Sequence, residues 1–171
     1  MTIDSTEDIR RIVKLRIAIT GHRGLNDEVT AKVTETLNMR LSEAKEEIVG
    51  LTCLADGADQ LFAEAVLRHG GQLEVVVPAQ EYRDGLPEHA HAAYDKLISQ
   101  AVAVHHCDYR VSDSTAHMVA SELMVDQSDQ LFAVWDGMPA RSYGGTADVV
   151  AYAENNGVPV TVIWPPGTHR D

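Results

Sequence analysis

The sequence predicts an α/β fold contained in a single domain. Three observations predict it. Six short apolar runs alternate along the chain with stretches of helical periodicity. The runs lack strict apolar–polar alternation, which describes strands covered on both faces, the habit of parallel sheets. Several runs end in a glycine-containing or small polar turn that leads into a helix start, where open α/β sheets bind their ligands. A chain of 171 residues, 44% hydrophobic, is long enough for one domain with a sizeable core.

Each element can be justified in order. Residues 1–14 read as a leader, either unstructured or a short helix through Ile9, Ile12 and Val13. The domain proper runs from 15 to 165, and 166–171 form a C-terminal tail. Strand one is 15–20. Val29, Val33, Leu37, Leu41, Ala44 and Ile48 then recur at helical spacing and describe an amphipathic helix of about five turns. Strand two is 49–54, followed by a helix over 59–69 that stops at Gly70-Gly71. Strand three, 73–77, is halted by Pro78, and an irregular stretch precedes a helix over 88–100. Strand four is 101–105. A polar loop leads into a helix over 115–127, strand five over 131–135, a glycine turn, a last helix, and strand six over 158–164, closed by Pro165-Pro166. This pattern is a doubly wound Rossmann-like sandwich, with six mostly parallel strands and helices on both faces. The commonest strand order, 3-2-1-4-5-6, would put the switch point between strands one and four.

Composition narrows the function classes. With 14 Lys and Arg against 26 Asp and Glu, the net charge is −12, which repels polyanions, so no nucleic-acid partner is expected. Cys53 and Cys107 have no CxxC spacing and read as reduced thiols. His105, His106, Cys107 and Asp108 alternate faces along a strand, so no metal is expected. The acidic N-terminus lacks a signal-peptide core and no run of 18 apolar residues exists. A cytoplasmic protein without membrane contact or cofactor is the expectation.

The candidate site residues sit in the turns. Gly144-Gly145-Thr146 opens a helix, where glycines let the backbone approach a ligand and exposed N–H groups favour an anion, most simply a phosphate. Asp148 falls on the first turn of that helix, as a cap or as a ribose-binding or catalytic carboxylate. After strand one, Gly21-His22-Arg23 faces the crevice. Arg23 suits a phosphate fork, and His22 suits a hydrogen bond to ligand or structure. After strand two, Asp56, Gly57 and Asp59 are ligand or helix-start residues, with Asp56 a second catalytic candidate. After strand five, Asp136-Gly137 would anchor the crevice loops or meet a sugar hydroxyl. Tyr82 and Arg83 are candidates for a base-binding wall.

These turns resemble the SLOG superfamily of Rossmann-like proteins, which includes the LOG phosphoribohydrolases and the DNA-processing protein A family. The resemblance runs from about residue 15 to residue 165. It rests on Gly21-His22-Arg23, on Asp56-Gly57-Ala58-Asp59 and on Gly144-Gly145-Thr146. It implies a crevice for a small nucleotide or sugar-phosphate ligand, of the ADP-ribose or nucleoside monophosphate class, and a homo-oligomer, for which Val119, Leu123 and Met124 on one helix are a candidate seam. In the phosphoribohydrolases a glutamate follows the Gly-Thr turn, and here Val149 stands in its place. The first expectation is therefore a binding or sensing domain. The alternatives are a nucleotide N-glycosidic hydrolase using Asp148 or Asp56, and a structural or partner-binding module.

Overall fold

The computed structural model describes residues 14–170. The leader with Ile9, Ile12 and Val13 lies outside the described residues, apart from Lys14, which opens the first strand. Six strands form one sheet: β1 (Lys14–Gly21), β2 (Glu47–Thr52), β3 (Gln72–Val77), β4 (Ala103–His106), β5 (Gln130–Val134) and β6 (Val160–Ile163). The helices are α1 (Asp27–Ser42), α2 (Ala58–Arg68), the single turn α3 (Tyr82–Gly85), α4 (His91–Ser99), α5 (Ser114–Asp126) and α6 (Thr146–Asn155). No described helix is long and apolar enough to cross a membrane.

Every strand pairing is parallel, and the strand order is β4-β3-β2-β1-β5-β6. The expected order of 3-2-1-4-5-6 is corrected by one strand. β4 continues outward past β3, and the chain reverses direction only on entering β5, so the switch point lies between β1 and β5. The reversal sends the later crossovers over the opposite face. α1 packs on α2 and α2 on α4 on one side, while α5 packs on α6 on the other. All four β4 residues are exposed, as befits a short edge strand, although their Ala-Val sequence reads as buried.

The core forms where the sheet's apolar runs meet the helices. Ile17, Ile19, Leu51, Leu73 and Leu131 on the strands and Leu37 and Phe62 on the helices are all but inaccessible. Gly50 in the middle of β2 leaves room for Phe62, since a Cβ there would stand 2.9 Å from the ring. Phe62 thus lies on the sheet and meets Phe132 edge-on at 6.1 Å. Asn26 and Asp113 cap α1 and α5, accepting from the Val29 and Ala116 N–H groups at 2.9 Å. α6 has no such side-chain cap, because its N-cap is Gly145.

Candidate functional site

At the carboxyl edge of the sheet, beside the switch point, lies a cavity of about 310 Å³. The end of β1 supplies Ile19 to Arg23, the turn after β2 supplies Cys53 and Ala55, and the α6 start supplies Gly144 to Ala147. β1 and β5 finish level, with Gly21 paired to Val134, and the His22 N–H continues the ladder to the Val134 carbonyl at 3.0 Å. The turn residues of both strands therefore project past the sheet side by side.

His22 is the hub of this edge and is 4% exposed. Arg170 Nη1 lies 2.9 Å from its Nδ1. A guanidinium only donates, so Nδ1 accepts from it, while Nε2 stands 3.1 Å from Asp136 Oδ1 and 3.2 Å from the Asp136 N–H. Thr146 Oγ1 stands 3.4 Å from Nδ1, and the Trp164 ring meets the imidazole edge-on at 5.4 Å. Burial lowers the His22 pKa, and Arg170 and Arg141 push the same way against the Asp136 hydrogen bond, so the ring is held neutral. Burial alone would raise Asp136, but the Met138 N–H, His22 and Arg170 outweigh it and hold this carboxyl below its usual range. Arg170 Nε is buried and makes no hydrogen bond; the Asp136 Oδ2 atom is 3.6 Å away.

The turn after β2 has a different logic. Leu54 is fully buried at φ +58°, a conformation that non-glycine residues rarely hold. Its N–H donates to Thr52 Oγ1 at 3.0 Å and its carbonyl accepts from Gln60 Nε2 at 3.2 Å. Asp56 accepts from Arg23 Nε at 2.7 Å and from the Gly24 N–H at 3.2 Å. It thereby aims Arg23 and is not itself part of the cavity wall. Gly57, at φ +84°, lies so close to the first turn that a Cβ would stand 2.7 Å from the His22 carbonyl oxygen. Its smallness serves the contact between turns. Asp59 lines the cavity, is 8% exposed and accepts from the Ala55 N–H at 3.2 Å. Burial raises its pKa from 3.8 to about 7, against the Ala55 hydrogen bond and the Arg23 charge.

In the loop between β5 and α6, Gly144, Gly145 and Thr146 line the cavity, whereas Asp148 turns back to accept from the Gly144 N–H at 2.9 Å. Gly144 has φ +82°, and a Cβ there would press on the Ser114 carbonyl at 3.0 Å. Gly137 shapes the turn after Asp136 without reaching the cavity wall. The structure thus brings Gly21, His22, Arg23, Asp59, Gly144, Gly145 and Thr146 onto one cavity, and uses Asp56, Gly57, Asp136, Gly137 and Asp148 to hold its loops.

Sequence reasoning missed Arg141, Arg170 and His117, which also line the cavity. Arg170 belongs to the tail, which bends over the site because Trp164 Nε1 donates to the Thr168 carbonyl at 2.7 Å. The tandem prolines before it were the available signal of a fixed turn. His117 donates to or accepts from Ser112 Oγ at 2.8 Å, and burial and Arg23 lower its pKa. Among the described residues no group of three or more His, Cys, Asp or Glu is placed to hold a metal ion.

No family model matches the chain, and no curated protein matches it. Solved structures do. DNA processing protein A from Streptococcus pneumoniae superposes with a TM-score of 0.65 at 16% identity, over 92% of this chain. The chain spans about half, 52%, of that protein. DNA processing protein A from Helicobacter pylori gives 0.68 at 14% identity, over 95% of this chain and 71% of its own. The chain has the SLOG-type Rossmann-like fold. A molybdenum cofactor binding protein from Rippkaea orientalis shares this SLOG-type fold, with a TM-score of 0.58 at 15% identity over 88% of this chain and 77% of its own.

One expectation is overturned here. The acidic charge predicts no nucleic-acid partner, yet the Helicobacter pylori protein with the same SLOG-type fold has a single-stranded DNA binding mode. The physical reason is that net charge is a whole-molecule quantity, whereas phosphate contact is local, and a chain of net −12 still gathers Arg23, Arg141 and Arg170 at one cavity.

Proposed function

We propose that the crevice binds the phosphate of a small nucleotide derivative. The observation that carries this reading is the convergence of Arg23, Arg141 and Arg170 on one cavity, with the buried Arg170 Nε lacking any hydrogen-bond partner. Orphaned buried donors are rare in native structures, and a phosphate oxygen would satisfy this one with a charge-assisted bond. The α6 N-terminus, without a side-chain cap, adds backbone N–H groups and the positive end of its dipole. The His22 ring, held neutral, leaves that positive potential to the guanidiniums. Ligand pockets span roughly 300–1,000 Å³, so a cavity of about 310 Å³ suits a single nucleotide better than a dinucleotide.

Hydrolysis has less support. Asp148 and Asp56, the carboxylates that would carry it, are each engaged in holding a loop. A second reading, that the same crevice takes a nucleotide of single-stranded DNA, draws on the Helicobacter pylori structure alone. Calorimetric titration with AMP, ribose 5-phosphate and a short oligothymidylate, followed by mass spectrometry of the ligand, tests all three. Binding of AMP and ribose 5-phosphate with both recovered intact supports the proposal. Release of free base would replace it with the hydrolase, tight binding of the oligonucleotide alone would favour the DNA reading, and no binding would refute the phosphate crevice.

A further inference from the structure

One group of residues on the cavity wall has a different character. Cys53, Pro78, Tyr82 and Met124 make it apolar, and Asp59 is the sole carboxylate on the wall among the described residues. The thiol is no nucleophile, because burial raises the Cys53 pKa well above its ordinary value. An ionised carboxylate has about four lone-pair positions. Asp59 Oδ2 receives the Ala55 N–H, the Cys53 backbone also hydrogen-bonds the carboxylate, and Arg23, whose Nε is bonded to Asp56, acts on it through its charge. A wall-lining carboxylate with accepting capacity to spare, set among apolar groups, suits a flat ring that presents hydrogen-bond donors.

We propose, resting on the phosphate reading above, that this part of the wall selects a guanine ring, with Asp59 accepting from its adjacent ring N–H and amino N–H groups. The two donors lie side by side on the guanine edge and match the two oxygens of a carboxylate. Adenine presents one donor beside a bare ring nitrogen, which would face the carboxylate lone pairs and repel them. Hypoxanthine keeps the ring N–H and loses the amino group, so it should fall between the two. Two donors also compensate for the burial that disfavours ionised Asp59, so guanine binding near neutral pH is accompanied by proton release.

The test is calorimetric titration of the whole chain at pH 8 with GMP, IMP, AMP and ribose 5-phosphate, repeated on Asp59→Asn. A good bidentate pair is worth about 1–3 kcal/mol of discrimination, roughly 5- to 150-fold in affinity. The expected order is GMP tighter than IMP and IMP tighter than AMP, with at least a fivefold gap between the first and the last. Asp59→Asn should erase the guanine preference, bringing the ratio of GMP to AMP affinity to about one. The nucleotide order is read on the unmodified chain, so the proposal stays falsifiable if the variant misfolds. Ribose 5-phosphate binding without a guanine preference, or a preference that survives in Asp59→Asn, would overturn the guanine assignment alone. If neither ribose 5-phosphate nor any nucleotide binds, the phosphate reading falls and the guanine assignment with it.

Discussion

Replacing Asp59 by Asn should make the protein more stable, and increasingly so as the pH rises. Burial raises the Asp59 pKa from 3.8 to about 7 in the folded chain. The unfolded chain gives up this proton near the ordinary value, so the fold is favoured below that value and loses the advantage as pH climbs through 7. At about 1.4 kcal/mol per pKa unit, ionising Asp59 costs the fold about 4 kcal/mol once the pH is well above 7. Between pH 5 and pH 8 the change is about 2.5 kcal/mol. Asn keeps an oxygen that can accept the Ala55 N–H and carries no charge to desolvate. Comparing Tm for the two chains at each pH cancels the titration of every other group. With about 2–4 °C per kcal/mol for a chain of this size, the Asn variant should gain roughly 5–10 °C on the wild type between pH 5 and pH 8. A gap that stays constant, or closes as pH rises, would refute the reasoning and place Asp59 in a solvated setting.

Three further outcomes are expected. Gly57→Ala should lower stability by about 1–3 kcal/mol, because it adds a Cβ at φ +84° against the His22 carbonyl, and thermal or urea unfolding reads it directly. His22→Phe should cost about 2–4 kcal/mol by leaving Asp136 buried without its imidazole partner. It should also remove part of the wild type's loss of stability below pH 6.5, since the unfolded imidazole takes a proton there that the folded one resists. Asp148→Ala should weaken AMP binding by freeing the Gly144 N–H, while Asp148→Asn, which retains an acceptor, should bind as the wild type does; equal loss in both would indicate that the carboxylate charge meets the ligand.

Much of this fold is legible because most strands are largely apolar runs closed by Gly, Pro or a small polar turn, and the longer helices show their period. The strand order is another matter. β4 opens with Ala103 and Val104 like an interior strand but ends in His105 and His106, and its place depends on which partner the crossover reaches. The site was legible to the extent that it lies in turns next to strand ends, which brought out His22, Arg23, Gly144 and Thr146. Sequence alone could not separate wall from scaffold. Asp56 and Asp59 are three residues apart and chemically alike, yet one aims Arg23 from outside the cavity and the other faces into it, because Asp59 falls on the first turn of α2. Arg170 was invisible for a further reason: a tail residue gains a role only when the chain folds back, and no periodicity announces that.

The central claim, that three arginines make this crevice a phosphate site, is tested most directly by titrating ribose 5-phosphate into the wild type and into Arg141→Ala and Arg170→Ala by calorimetry, at low and high salt. Each charge-assisted contact is worth about 1.5–3 kcal/mol, so each variant should bind roughly 10- to 150-fold more weakly, and the wild-type affinity should fall as salt rises. Binding that is unchanged in both variants and insensitive to salt would contradict the account.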